Sequence, residues 1–171
     1  TRMAAQGYGV KIITGDRDLL QLVSERILVN LPGKNIADGK DFFAQDVVES
    51  LGIRPEQVVD YKALVGDKSD NIPGVMGIGE KTATSLLASY GSLDNIYAHL
   101  AGLPESMRKK LEQGQEKALL SRKLATIVTD LDIPLNLDMA NCAYFDPGKV
   151  EAIFRELEFR TLIPRLKALG G

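Results

Sequence analysis

The sequence predicts an α/β fold that is mostly helical, with a small parallel sheet near its amino terminus. Two short apolar runs, at 10–14 and 26–31, are typical of buried strands. Between them, residues 18–24 carry leucine and valine at helical spacing, which predicts a strand, a short helix and a second, parallel strand. From residue 44 onward, helical periodicity interrupted by glycine and proline dominates the chain.

The remaining elements follow along the chain. Residues 1–6 have the pattern of the last turns of a helix, and the turn-rich segment 32–40 fits a small hairpin or a loop. Pro55 suits the first turn of a helix because its missing N–H costs no hydrogen bond there. Residues 129–137 contain a proline that breaks any helix, so we expect them to be extended. The other predicted helices cover 44–51, 55–65, 80–90, 93–100, 104–113, 115–127, 147–157 and 162–169.

Composition limits the class of protein without deciding it. The 171 residues are 44% hydrophobic and 26% charged, which is ordinary for a folded domain with its own core. A net charge of -2 argues mildly against a nucleic-acid binder, although a local basic face can be hidden in that average. One cysteine excludes an intramolecular disulfide framework and a multi-cysteine zinc site. No apolar run approaches the roughly 20 residues of a membrane span, so we expect a cytosolic protein with no membrane partner.

A first acidic pair, Asp16 and Asp18, follows the first predicted strand directly. Ligands of open α/β sheets gather beyond the carboxyl ends of the strands, so these two carboxylates are placed to bind a metal ion. The pair alone is ambiguous. A purely local interpretation has Asp18 capping the next helix and Asp16 lying in a turn.

A second acidic pair, Asp67 and Asp70, follows the glycine that ends the 55–65 helix. These residues also fit a turn and a cap. Together with Asp16 and Asp18, however, they make four carboxylates whose mutual repulsion is costly unless cations neutralise it. Carboxylates grouped in this way bind Mg²⁺ in sites that act on phosphates.

A glycine turn, Gly77-Ile78-Gly79, immediately precedes the predicted helix 80–90. The glycines allow the backbone to come close to a ligand, and the first N–H groups of the helix attract a phosphate. Lys81 adds a positive charge at the same place. A dinucleotide-binding fingerprint fails because the preceding segment is not a strand and the third glycine is missing. A helix-hairpin turn without a ligand remains the alternative.

These motifs, taken in order, resemble the 5′ nuclease (flap endonuclease) family, in the branch formed by the 5′→3′ exonuclease domains of bacterial DNA polymerase I. The similarity extends over essentially the whole chain. It is carried by TGDRDLLQL at 14–22, DYKALVGDKSDNIPGVMGIGEKTA at 60–83, YGSL at 90–93 and LEF at 157–159.

The resemblance implies a fold, a chemistry and a set of site residues. Residues 1–43 would be the carboxyl part of a PIN-like α/β nuclease core, and 44–171 a helical region with a helix-hairpin-helix at about 55–90 and closing helices at 147–169. It implies a nuclease that uses Mg²⁺ or Mn²⁺, with a K⁺ held by the helix-hairpin-helix in many members. Catalytic and metal-binding roles fall on Asp16, Asp18, Asp67 and Asp70, and DNA contacts on Gly77, Gly79, Lys81 and Thr82.

The same resemblance implies partners and a setting. We expect duplex or flap DNA as the substrate, a polymerase domain in cis, a monomer, and a place near the nucleoid in the bacterial cytosol. The acidic segment that holds the first metal and the basic arch that threads the 5′ flap have no counterpart in these residues. We therefore expect a fragment that binds DNA and cleaves it poorly.

Two other classes stay open from the sequence alone. One is a non-catalytic helix-hairpin-helix module that binds DNA. The other is a PIN-like ribonuclease, which the helix-hairpin-helix disfavours because that element serves duplex DNA. Basic residues at 108–110, 117, 122 and 123 fit either a second DNA-facing strip or a solvated helix face.

Overall fold

The computed structural model describes residues 1–33, 38–141 and 145–169. The chain forms two compact units, Thr1–Thr129 and Asp130–Gly171. The predicted fold class, mostly helical α/β, is confirmed. The elements are α1 (Arg2–Ala5), β1 (Val10–Ile13), β2 (Ile27–Leu31), β3 (Lys40–Phe42), α2 (Ala44–Leu51), α3 (Val58–Val65), α4 (Glu80–Tyr90), α5 (Leu93–Ala98), α6 (Glu105–Ala125), α7 (Pro147–Glu156) and α8 (Leu162–Leu169).

The sheet has the order β1-β2-β3, and its first pair is parallel as predicted. Val10 pairs with Ile27 and Ile13 pairs with Asn30. The connection between them contains the predicted short helix, which is a 3₁₀ helix over Arg17–Leu22 where the leucine spacing placed it at 18–24. Because 3₁₀ helices are tight and short, this connection holds the carboxyl end of β1 close to the residues that follow it.

The third strand makes the sheet mixed, where the sequence predicted parallel strands only. β3 runs antiparallel to β2, with Val29 opposite Phe42. The Asn30 amide donates to Asp41 Oδ1 at 2.6 Å across this pair. A Cβ on Gly39 would lie 2.4 Å from Asn30 Oδ1, so a side chain there would displace the Asn30 amide from this contact. The hairpin or loop predicted at 32–40 includes residues 34–37, which lie outside the described residues.

The helices of the first unit pack around α3. Val58, Ala63 and Leu64 of this helix are fully buried, in a core that also includes Leu87 of α4 and Leu111 of α6. A 3₁₀ turn, Pro55–Gln57, leads into α3, and Gly66 ends it. The last turn of α3 is therefore held in a fixed position against α4 and α6.

The prediction of two separate helices at 104–113 and 115–127 is wrong. The structure has one helix of 21 residues there, α6. Gly114, which we expected to separate them, lies in its interior and is buried. A Cβ there would lie 2.7 Å from Val75 Cγ1. The glycine thus allows the loop between α3 and α4 to pack directly on α6. The predicted helix 93–100 is also shorter, since α5 ends at Ala98 and a 3₁₀ turn, Leu100–Gly102, follows.

The second unit contains the closing helical pair that the sequence predicted. Asp146 caps α7 by accepting hydrogen bonds from the backbone N–H groups of Gly148 and Lys149. Glu151 of α7 forms an ion pair with Arg155, and the rings of Phe154 and Phe159 lie 6.1 Å apart. Residues 127–136, which overlap the predicted extended segment, contain neither helix nor strand. Among the described helices, none combines the length and the apolar character that a membrane span requires.

Candidate functional site

Three of the four predicted metal ligands lie together. Asp18 stands in the first turn of the 3₁₀ helix beyond β1, and Asp67 and Asp70 lie in the loop after α3. Each contributes a carboxylate oxygen to a group in which all these atoms lie within 4.8 Å of one another. We call these three residues the acidic cluster. It joins segments about 50 positions apart in sequence at the carboxyl end of a parallel strand, as ligand sites of α/β sheets require.

Asp16 is not part of this group. Its Oδ1 accepts a hydrogen bond of 2.8 Å from the backbone N–H of Asp18, and it is the N-cap of the 3₁₀ helix. The local interpretation of the sequence assigned the cap to Asp18. In the structure Asp16 is the cap, and Asp18 lies in the acidic cluster. The capping bond orients the turn and directs Asp18 into the cluster, while the role of Asp16 as a metal ligand stays a prediction.

The loop that carries Asp67 and Asp70 is held in a defined shape. Asp67 and Ile72 exchange backbone hydrogen bonds of 2.9 and 2.8 Å, and Asn71 between them has a positive φ of 56°. Ile72 is buried and anchors the loop. A Cβ on Gly74 would lie 2.3 Å from the backbone nitrogen of Gly66, so only glycine permits the two ends of the loop to meet.

Lys62 contacts the acidic cluster, although no role at a metal site was predicted for it from the sequence. Its ammonium donates to Asp18 Oδ1 and to Asp67 Oδ2, the latter at 2.7 Å, and its side chain is only 13% exposed. This ammonium lowers the pKa of Asp67 to about 2, with hydrogen bonds from Ser69 adding to the effect. Lys62 therefore neutralises part of the acidic charge from the last turn of α3. A lysine five positions before Asp67, near the end of a buried helix, was the available signal.

The donor set fits a small divalent cation. Mg²⁺ binds carboxylate oxygens at about 2.1 Å, so two oxygens on one ion are at most about 4.2 Å apart. The oxygens of the acidic cluster lie within 4.8 Å and need only a small inward shift. Asp70 is exposed, which leaves that side of the cluster accessible to a ligand. Lys62 contacts the same carboxylates, so a metal ion and the ammonium would compete for them.

The second predicted site is the hairpin turn, Gly77 to Lys81, which joins the loop to α4. Gly77 has φ +79° and Gly79 is the N-cap of α4. Ala83 N donates to the Gly79 carbonyl, so the N–H groups before it have no helical partner and point out of the helix end. Gly79 and Lys81 are exposed and Thr82 is half-buried, so the structure leaves this helix end accessible.

The loop that leads into the turn is anchored on α3 and α6. Val75 N donates to the Leu64 carbonyl of α3 at 2.8 Å, and Gly74 N donates to Ser121 Oγ of α6 at 3.1 Å. Ile78 is buried between the two glycines. The side chain of Met76, by contrast, is 82% exposed. The turn is therefore a rigid feature with an outward-facing backbone, as a phosphate contact requires.

Two open grooves flank α4 and share Lys81. The first, of about 660 Å³, also contains Arg17, Tyr61 and Glu80. The second, of about 510 Å³, is lined by Met107 and residues of α4. The first groove brings two basic side chains together, Arg17 beside the acidic cluster in sequence and Lys81 of the hairpin turn. A phosphate in this groove would meet the side chains of Arg17 and Lys81.

Comparison with known proteins decides the family. The family model described as 5′-3′ exonuclease, C-terminal SAM fold matches residues 53–148, more than half of the chain. This chain belongs to that 5′-3′ exonuclease family. The segment contains Asp67, Asp70 and the whole hairpin turn, so the family prediction made from these motifs is confirmed.

Curated relatives of this exonuclease-family chain are DNA polymerase I proteins. The chain is 44% identical over 168 residues to DNA polymerase I of Bacillus caldotenax, which covers 98% of the chain and 19% of that protein. It is 45% identical over 170 residues to the thermostable DNA polymerase I of Thermus thermophilus, covering 99% of the chain and 20% of the relative. The chain thus spans about a fifth of the length of these relatives.

Solved structures agree with the fold. A mutant of T5 5′-exonuclease superposes with a TM-score of 0.59 at 25% identity, over 68% of this chain and 47% of that one. T5 5′-exonuclease with bound divalent zinc ions gives a TM-score of 0.61 at 25% identity, over 72% of this chain and 45% of that one. About 70% of this chain therefore corresponds to a part of a known nuclease fold.

Proposed function

We propose that this chain is part of a metal-dependent 5′→3′ exonuclease or flap endonuclease that hydrolyses phosphodiesters in flap or nicked duplex DNA, in repair and primer removal. The observation that carries the proposal is the acidic cluster, whose Asp67 and Asp70 lie in the loop that leads into the hairpin turn. Membership of the 5′-3′ exonuclease family supports it. A metal site beside a phosphate contact is the arrangement that phosphodiester hydrolysis needs.

The acidic cluster would hold Mg²⁺ or Mn²⁺, with Asp16 as a further proposed ligand. When bound, such an ion polarises a phosphoryl oxygen and lowers the pKa of a bound water. Ser69 keeps Asp67 oriented by donating to its Oδ1, and Lys62 fixes the other oxygen. The chain thus presents its ligands in one orientation before any ligand arrives. The bound zinc ions of T5 5′-exonuclease support the metal part of the proposal.

The hairpin turn would contact the DNA backbone through Gly77, Gly79, Lys81 and Thr82. The open N–H groups at the start of α4 would donate hydrogen bonds to a phosphate oxygen, and Lys81 would add its charge. A K⁺ between the turn carbonyls and a phosphate is part of the same proposal. One of those carbonyls, that of Gly77, already accepts a hydrogen bond from Lys110. A K⁺ ion would therefore share or replace that contact.

The relatives support a proposal about the larger protein. We infer a polymerase domain in cis, because the chain matches about a fifth of DNA polymerase I proteins at 44 to 45% identity. We also propose a monomer that acts on DNA at the nucleoid of a bacterial cytosol. Within the chain, we propose residues 1–43 as the carboxyl part of the nuclease core and 44–171 as the helical DNA-binding region, with the helix-hairpin-helix at about 55–90.

A second candidate function is a DNA-binding module without catalysis. Lys62 favours it, because its ammonium already compensates two carboxylates of the acidic cluster without any metal ion. The hairpin turn shares none of the cluster residues, so DNA binding would not depend on the cluster.

A cleavage assay separates these functions. The assay uses a protein that includes this chain and has the full length of its relatives. We expect it to cleave 5′-flap DNA with Mg²⁺ or Mn²⁺, to lose this activity with a chelator, and not to cleave single-stranded RNA. Asp70→Asn should abolish cleavage, whereas the exposed control Asp138→Asn should not. Cleavage of RNA would favour a ribonuclease, and DNA binding without metal-dependent cleavage would leave only the non-catalytic module.

A further inference from the structure

Lys110 of α6 contacts the hairpin turn although it lies 33 positions beyond it in sequence. Its Nζ donates to the Gly77 carbonyl at 3.2 Å. Its aliphatic stem also covers the glycine, since a Cβ on Gly77 would lie 3.2 Å from Lys110 Cε and 3.4 Å from Cδ. The lysine is therefore held against the turn by packing and by a hydrogen bond.

The charge of Lys110 is not compensated by an acidic group. Its neighbours on α6 are paired within the helix: Arg108 with Glu112 at 3.7 Å, and Lys109 with Glu105 at 2.6 Å. Across residues 1–33, 38–141 and 145–169, no carboxylate forms an ion pair with Lys110. An exposed ammonium that contacts only a carbonyl keeps its full positive charge for another ligand.

The position of Lys110 directs that charge toward the proposed DNA path. Met107 lines the second groove beside α4 together with Lys81. Residues three apart share a helix face, so Lys110 extends the same face by one turn. A lysine ammonium has three N–H donors, and the contact with Gly77 uses one of them. Two donors remain beside a turn whose own N–H groups are open.

We infer that Lys110 is a further phosphate-binding residue, supplied by α6 to the grip formed by the hairpin turn and Lys81. This rests on the proposed function of the turn. The ligand is a phosphate of a nucleic-acid backbone, since the donors are an ammonium and main-chain N–H groups with no feature that reads a base. The grip would then be composed of two elements distant in sequence, α4 with its turn and α6.

The competing explanation is that Lys110 only supports the shape of the turn. The two roles differ in the salt dependence of DNA binding, because each phosphate contact changes the slope of log K against log[salt] by about 0.9 for duplex DNA. A purely structural residue changes the affinity without changing the number of released counterions.

The test uses fluorescence anisotropy with a labelled blunt 20-base-pair duplex and the 171-residue chain, over a range of KCl concentrations. Lys110→Met keeps the unbranched stem and removes the charge, and the adjacent, ion-paired Lys109→Met is the matched control. We expect Lys110→Met to weaken binding about three- to tenfold at low salt and to lower the slope by about one, with the control unchanged. A slope equal to that of wild type for Lys110→Met would overturn the inference.

Lys81→Met in the same titration tests the proposed function separately. If Lys81→Met lowers the slope and Lys110→Met does not, the inference fails and the hairpin proposal stands. If neither lowers the slope, both fail. Thermal unfolding of each variant identifies a loss of fold, and Lys110→Arg should restore both the slope and most of the affinity.

Discussion

The acidic cluster and the hairpin turn differ in how the chain builds them. The hairpin turn is contiguous in sequence, and its glycines, lysine and helix start lie within Gly77 to Thr82. The acidic cluster combines Asp18 with a loop about 50 residues further along the chain. Its charges are partly compensated inside the protein by Lys62, whereas the hairpin turn presents its groups to solvent.

This difference has a consequence for function. A motif with open groups outside the acidic cluster needs none of the cluster carboxylates to bind a phosphate. A cluster of distant carboxylates depends on tertiary structure and on a cation, because uncompensated acidic groups repel one another. We therefore expect DNA binding to survive changes that abolish metal binding.

The largest expected effect concerns catalysis. The 171-residue chain should bind flap DNA but cleave it at least about 10² to 10³ times more slowly than a protein with the full length of its relatives. The three carboxylates of the acidic cluster would hold one metal ion, and the acidic segment expected to hold another has no counterpart in these residues. Loss of one electrostatic stabiliser of a transition state typically costs that factor. Single-turnover cleavage of a 5′-flap substrate with Mn²⁺ is the measurement. Equal rates for both proteins would show that the catalytic centre is complete within these residues.

The two glycines of the hairpin turn provide the next test. Gly79 has φ −101°, which any residue adopts, and a Cβ there meets nothing within 4 Å. Gly79→Val should therefore leave thermal stability unchanged and weaken duplex binding at least about tenfold by blocking the approach of phosphate. Gly77 has φ +79°, so Gly77→Val should lower the free energy of unfolding by about 1 to 3 kcal/mol. Calorimetry and anisotropy on both variants check this contrast, and unimpaired DNA binding by Gly79→Val would contradict it.

A smaller effect comes from the carboxylate of Asp67. Lys62 and Ser69 lower its folded-state pKa from the ordinary 3.8 to about 2. Stability from this group is therefore present above pH 4 and is lost as the pH falls through about 2. Asp67→Asn should lower the free energy of unfolding at pH 7 by roughly 1 to 2 kcal/mol, after allowance for solvent screening, and should flatten its decrease at acid pH.

Urea unfolding from pH 7 to pH 2 measures that contribution. Lys62→Met should reproduce most of the flattening, since it removes the main cause of the lowered pKa of Asp67. Asp138→Asn, at an exposed position in the second unit, is the control and should follow wild type. If Asp67→Asn kept the wild-type slope with pH, the contact between Lys62 and Asp67 would not stabilise the folded protein in solution.

The sequence indicated the hairpin turn fully and the acidic cluster only in part. The turn motif is local, so glycine spacing and a helix start were sufficient. Asp16 and Asp18 could not be separated from the sequence, because either residue can cap a short helix. Lys62 was assigned no metal-site role, because its contact with Asp18 depends on how α3 packs beside the 3₁₀ helix.

The same limit applies to the fold. α2, α4 and α8 have the predicted bounds because their ends are marked by glycine or by helix periodicity. Gly114 led to the wrong prediction of a break in α6. Glycine is needed there because Val75 packs closely against it, and no local sequence pattern contains that contact. β3 was missed because three residues are too few to show alternation.

A Mn²⁺ titration of the 171-residue chain tests directly whether the acidic cluster binds a metal ion. Mn²⁺ is the better probe because transition metals bind such sites more tightly than Mg²⁺. Calorimetry should show one site that Asp18→Asn abolishes. His99→Ala should leave the site unchanged, because the His99 ring is hydrogen-bonded to the Asn95 carbonyl at 2.8 Å. Asp16→Asn should weaken the site less than Asp18→Asn does. Equal Mn²⁺ affinity in wild type and Asp18→Asn would contradict the assignment of these carboxylates to a metal centre.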